Sequence, residues 1–232
     1  MNRLFNMKLL SVVTLTVSGF WVASFCCPET ARSGDSQEAG SQPGDTEAGA
    51  GAKAGERPVI SRTLQVVPHN QEGFYSCWST CAEIVMEFLG GGSIRQCEQA
   101  NVAFNHSTCC VGEGVLARGL CDQQWYPEFD KWGFDCDYSP DRPLSWEQLT
   151  TEITEGRPFL FSWRESPSVN INHMMVLIGF DERGGERMVS FLEPLFAGET
   201  DSFQRPFSDY EGGSGGHPHI DDYFGIRPRT YQ

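Results

Sequence analysis

Basic side chains are scarce in this chain: 17 Lys and Arg stand against 31 Asp and Glu, a formal net charge of −14 over 232 residues. Phosphate backbones need a basic face, so the deficit argues against nucleic acid as a ligand and favours cationic substrates or peptides at low salt. No two of the nine cysteines stand in the C-x-x-C spacing of a structural zinc site. Residues 28–58 hold no aromatic side chain and no aliphatic one larger than alanine. Such a segment cannot bury enough apolar surface to offset its chain entropy, so it reads as a disordered tether. Charge is also missing from Leu9 to Phe25, an apolar or small run behind Arg3 and Lys8 with no acid before it. That is the pattern of a secretory signal or an uncleaved anchor. Cys26-Cys27 directly after it suggests a lipid attachment site, although Phe25 stands where lipoprotein cleavage prefers a small residue. Lipoprotein, anchored and secreted forms stay open, and each puts the rest of the chain outside the cytoplasm.

What the chain does contain is concentrated after residue 58. In Gln71-Glu72-Gly73-Phe74-Tyr75-Ser76-Cys77-Trp78 a glutamine stands six residues before a cysteine. After Cys77 the apolar residues Cys81, Ile84, Val85, Phe88 and Leu89 recur at helical spacing, and Gly90-Gly91-Gly92 stops the pattern. Cys77 then falls in the first turn, at the positive end of the helix dipole. A thiol attacks only as thiolate, and a helix N-terminus with a histidine partner lowers its pKa by several units. Pro68, Asn70 and Gly73 read as a loop that brings the Gln71 amide beside the sulfur. There it would stabilise an oxyanion together with the Cys77 backbone N–H.

A histidine stands far downstream, in Asn172-His173-Met174-Met175-Val176-Leu177-Ile178-Gly179-Phe180, at the head of an apolar run that reads as a buried strand. A second run, Met188 to Leu192, ends in Glu193-Pro194. Paired antiparallel, the two strands would set Glu193 near His173. The order Gln, Cys-Trp, His, acid over roughly residues 64–226 resembles the papain-like cysteine peptidases. It is most similar to their compact bacterial forms, including the double-glycine-leader peptidase and plant-pathogen effector groups. The resemblance implies a protein or peptide substrate, no cofactor, and catalytic roles for Cys77, His173, Glu193 and Gln71. The compact enzymes carry Asp-Pro, and papain Asn, where this chain has Glu193-Pro194, one methylene longer. The tether at 28–58 is too short and polar to be the folded inhibitory propeptide of many papain relatives. Two other readings stand beside peptide hydrolysis: a cell-wall cysteine amidase acting on peptidoglycan cross-links, and a catalytically inactive binding module.

The domain organisation expected is a signal or anchor at 1–27, the tether at 28–58 and one α+β domain at 59–232. In that domain an N-terminal nucleophile helix packs on a C-terminal antiparallel sheet. Ser145 with Gln148 marks a capped helix that Gly156 ends, and strands are expected at 159–163, 173–180, 187–192 and 223–226. Cys97 to Cys136 reads as a long, loop-like, disulfide-stapled connection. With Cys77 set aside, six cysteines in this domain suffice for three bridges, in any of fifteen connectivities, with Cys109 and Cys110 taking different partners. Trp125, Tyr126, Phe129, Trp132 and Phe134 are candidates for cleft or core. His217, His219, Asp221 and Asp222 invite a metal reading. The adjacent glycine-rich run favours a flexible loop instead, and no metal ligand is assigned.

Overall fold

The computed structural model describes residues 60–166, 169–195, 202–212 and 216–230. The expected signal, Cys26, Cys27 and tether lie outside these residues. Helix α1 (Cys77–Phe88) buries ten of its residues, from Cys77 to Met86, and ends where Gly90 and Gly91 donate back to Glu87 and Met86 carbonyls. Helix α2 (Gln96–Ala103) and the short strands β2 (Cys110–Val111) and β3 (Val115–Leu116) follow. Strand β4 (Phe134–Pro140) precedes helix α3 (Trp146–Thr154), which opens with the expected capping box. Ser145 Oγ accepts from the Gln148 N–H, and Gln148 Oε1 accepts from the Ser145 N–H.

The remaining strands are β5 (Phe159–Ser166), β6 (Val169–Arg183), β7 (Glu186–Leu192), β8 (Phe203–Pro206) and β9 (His219–Pro228). A short helix α4 (Phe207–Tyr210) lies between the last two. They form one antiparallel sheet in the order β4-β9-β5-β6-β7-β8, and an early strand β1 (Ile60–Thr63) pairs with the far half of β6. The α+β class, the nucleophile helix, the β6–β7 pairing and a final strand therefore stand as expected. That final strand inserts between β4 and β5 instead of closing an edge. The 97–136 connection is more ordered than expected, holding α2, β2, β3 and β4.

Both faces of the sheet are covered, which explains why β6 reads as a continuous apolar run. Met174, Val176 and Ile178 pack with Trp78, Ile84 and Val85 of α1, while Met175 and Leu177 face Leu149 and Ile153 of α3. A register shift after Leu177 turns Phe180 to the α3 side. Gly179 sits at that shift because β1 crosses so closely that a Cβ would lie 2.9 Å from Arg62 O and 3.1 Å from Thr63 Cα. Each fully buried large apolar side chain contributes about 1.5–3 kcal/mol, so the two layers fix α1 rigidly against β6. A polar contact adds to this: the Cys81 thiol donates to Met174 O at 3.3 Å.

Two disulfides are present among the described residues, Cys97–Cys110 and Cys109–Cys121. Neighbours Cys109 and Cys110 do take different partners. The expectation of three bridges is overturned: Cys81 is a fully buried thiol in the interface between α1 and β6, and Cys136 on β4 takes part in neither bridge. A buried cysteine behaves as a small apolar side chain, so counting parity over-assigned it.

Candidate active site

The loop before α1 is held from outside itself. Both oxygens of Asp122 are engaged, accepting the N–H groups of Phe74 at 2.8 Å and Tyr75 at 2.7 Å. Gln96 accepts from the Glu72 N–H at 2.9 Å and donates its amide to Asn70 O at 2.9 Å. Glu72 in turn accepts the Leu116 N–H at 2.5 Å. Gly73 is required here, since a Cβ would lie 2.2 Å from Asp122 Oδ1. Gln96 and Asp122 each adjoin a bridged cysteine, so the two disulfides stiffen the frame that shapes this loop. The loop delivers Cys77 as the first residue of α1, 7% exposed, with no acidic side chain in the first turn to compete with a thiolate for the helix N-terminus.

His173, near the start of β6, lies between two partners. Its Nε2 is 2.5 Å from Glu193 Oε1, and the Cys77 side chain adjoins the ring closely enough to favour its charged form. Burial opposes a charged imidazole here. The hydrogen bonds to Cys77 and Glu193, together with the carboxylate charge, outweigh it and raise the His173 pKa from 6.5 to about 10. Glu193 is itself fixed, because the Leu195 N–H donates to the same Oε1 at 3.1 Å. The longer acid thus reaches the ring from the end of β7, and the extra methylene is accommodated. Backbone pairing closes the circuit: the Gln71 N–H donates to Pro194 O at 2.8 Å, tying the loop before the helix to the turn after the acid.

The fourth expected residue is oriented differently. Gln71 stands at the head of the loop, but its Nε2 donates to Gly73 O at 2.8 Å and Phe74 O at 3.1 Å, and its Oε1 is buried with no partner. Cys81, one turn beyond Cys77, is set apart chemically. Burial, and then the neighbouring Cys77 and Glu193, push its thiol well above the usual range. A thiol, an imidazole and a carboxylate in line at a helix N-terminus can hold a thiolate–imidazolium pair, the reactive form of a cysteine nucleophile.

A model of the Peptidase_C39-like family matches residues 63–211, which include every residue of this constellation. The chain belongs to that family. It is accordingly a cysteine peptidase of papain-like type, and the large antiparallel sheet with α1 packed on it is the corresponding fold. No curated protein matches the chain. The family match stops before β9, although that strand lies in the middle of the sheet.

Of the aromatic candidates, Trp125 and Tyr126 line the cleft beside Cys77, whereas Phe129 and Phe134 belong to the core. Trp78 is buried, and its indole N–H donates to Gln123 O at 3.1 Å. His219, Asp221 and Asp222 lie on β9 and not in a flexible loop. Among the described residues no group of three or more His, Cys, Asp and Glu is placed to hold a metal ion. Sequence reasoning missed Asp122 and Gln96, whose role is visible only once the segment beyond α2 folds back on the loop. It also missed that Asp221 lines the cleft. The strand alternation of Asp221 with Tyr223 carries that signal, but a segment with two adjacent aspartates reads as a loop.

Proposed function

We propose that the protein is an exported cysteine peptidase that cleaves peptide bonds through an acyl-enzyme on Cys77. The observation that carries this reading is His173, bonded on one side to the Cys77 thiol at the head of α1 and on the other to Glu193. His173 takes the thiol proton, and the thiolate attacks the carbonyl carbon. The imidazolium then protonates the leaving amine, and water releases the thioester with His173 as base. Glu193 orients the ring and stabilises its charge. The Cys77 N–H holds the oxyanion, joined by Gln71 once its amide releases Phe74 O, the longer of its two bonds at 3.1 Å. Two disulfides support an oxidising compartment, in line with a signal or anchor at 1–27 and a tether at 28–58 ahead of a catalytic domain at 59–232.

Treating the full chain with a peptidyl epoxide and locating the adduct by mass spectrometry tests the reading. The adduct is expected on Cys77 and not on Cys81, absent in Cys77→Ala, and slowed on the order of 100-fold in His173→Ala. A folded chain that stays unlabelled and cleaves no peptide would overturn it. Digestion of purified peptidoglycan without casein cleavage would move the substrate to wall cross-links.

A further inference from the structure

A small cleft of about 80 Å³ opens beside the Cys77 thiol, between the head of α1 and the sheet. Trp78, Trp125, Tyr126 and Tyr223 contribute its aromatic lining, and Ser162 and Asp221 line it from the sheet. These last two are cross-strand partners on β5 and β9. Among the described residues that line it, Asp221 is, apart from the nucleophile, the one ionisable group with a charge to offer, and none is basic.

The Asp221 carboxyl is poised and incompletely satisfied. Burial, joined by the charge of Asp222, pushes the Asp221 carboxyl above its ordinary range, while Ser162, His219 and Tyr138, whose Oη donates to Oδ2 at 3.4 Å, favour the ionised form. Its Oδ1 accepts no hydrogen bond and is shut off from solvent. None of the ion pairs among the described residues uses it. A buried carboxylate oxygen with no donor is costly and rare in native proteins, and the charge of a cation seated in the cleft against the Asp221 side chain would offset that cost. The walls suit such a guest. Trp125 and Tyr126 stack with centroids 4.9 Å apart, and aromatic faces take both the alkyl stem and the charged end of a long basic side chain.

We propose that Asp221 is the specificity-determining residue of this cleft, selecting peptides that seat a lysine or arginine side chain against it beside the scissile bond. The inference rests on the cysteine-peptidase reading for its turnover but not for its binding, so the two can be tested apart. The probe is a set of peptides identical except at one position, scanned through the residues flanking the cleaved bond, carrying lysine, acetyl-lysine, norleucine or glutamate. The full wild-type chain reports kcat/KM, and the full Cys77→Ala chain reports Kd.

Lysine is expected to exceed norleucine by about tenfold in both measurements, with acetyl-lysine falling to the norleucine level and glutamate lowest. Asp221→Asn is expected to bring the lysine-to-norleucine ratio to within about twofold. Turnover without a lysine preference, or with one that survives Asp221→Asn, overturns the inference and leaves the peptidase standing. Lysine-selective binding that vanishes with Asp221→Asn, but no turnover of any peptide, upholds the inference and overturns the peptidase. If Asp221→Asn does not fold, the acetyl-lysine comparison decides on the wild-type chain, because Asp221 is the one carboxylate among the described residues lining the cleft. Trp125→Ala, at a position 40% exposed, is then expected to lower the lysine preference about threefold.

Discussion

Two histidine–carboxylate pairs stand on the same sheet, and they have opposite fates. His173 faces Glu193 at 2.5 Å, with side chains 11% and 14% exposed. His219 faces Asp222 at 3.3 Å, with side chains 3% and 0% exposed, off the hydrogen-bonding line. The difference lies in the second ring nitrogen and in the other lone pairs of the acid. In the first pair the ring also adjoins a thiol. In the second, Nδ1 is 3.0 Å from Tyr210 O, and Asp222 accepts from the Tyr210 hydroxyl at 2.9 Å and the Leu144 N–H at 3.0 Å. Every remaining hydrogen bond of the buried pair fastens the β4–α3 connection and α4 to β9. An imidazole held by a carboxylate is therefore a common structural part, and it becomes a proton shuttle only where its other nitrogen is given to a nucleophile.

Exchanging the two histidines tests this contrast most severely. His173→Ala is expected to lower kcat/KM on the order of 10³-fold with little change in melting temperature. His219→Ala is expected to do the reverse, lowering the melting temperature by roughly 10 °C while the folded fraction keeps its turnover. Thermal melts beside active-site titration would decide, and a folded His219→Ala protein without activity would erase the distinction.

The acids should separate the pairs on a smaller scale. Asp222→Asn leaves the buried ring and the Tyr210 hydroxyl poorly matched, so denaturant unfolding should show a loss of about 1–3 kcal/mol at unchanged kcat. Glu193→Gln should cut kcat about tenfold, with KM and stability nearly constant, since an orienting partner remains but its charge is gone.

The gentlest test is titration. The folded His173 pKa is raised to about 10, so its charged form stabilises the folded state fully below its ordinary value of 6.5, and that contribution is lost as pH rises through about 10. Stability measured by denaturant unfolding across this range should report the alkaline loss. Glu193→Gln should move that limb to lower pH, because one of the groups that raises the pKa has been neutralised.

Much of the constellation of Cys77, His173 and Glu193 was legible in the sequence because it is built from regular elements. The helical spacing after Cys77 marked α1, and the β6 and β7 runs with a short connection put Glu193 beside His173 by register alone. The charged β9 was only partly legible. Its last half read as a strand, but His219, Asp221 and Asp222 resemble loop residues until Tyr210, Tyr138 and Ser162 supply their partners from other elements. Helix α2 was hidden for a different reason. Its sequence Gln96-Cys97-Glu98-Gln99-Ala100-Asn101-Val102-Ala103 has almost no apolar stripe, and its N-terminus is capped through Arg95 and Glu98 instead of a serine or threonine. The disulfides hold that helix down where apolar burial is slight.

The same disulfides place the molecule between two opposed chemical demands. Cys77 attacks only while reduced, whereas Cys97–Cys110 and Cys109–Cys121 brace Gln96 and Asp122 only while oxidised. A reductant that rescues the nucleophile therefore loosens the loop that presents it. The protein is suited to a narrow band of redox poise, in which a thiol at the cleft can be regenerated faster than buried bridges are opened.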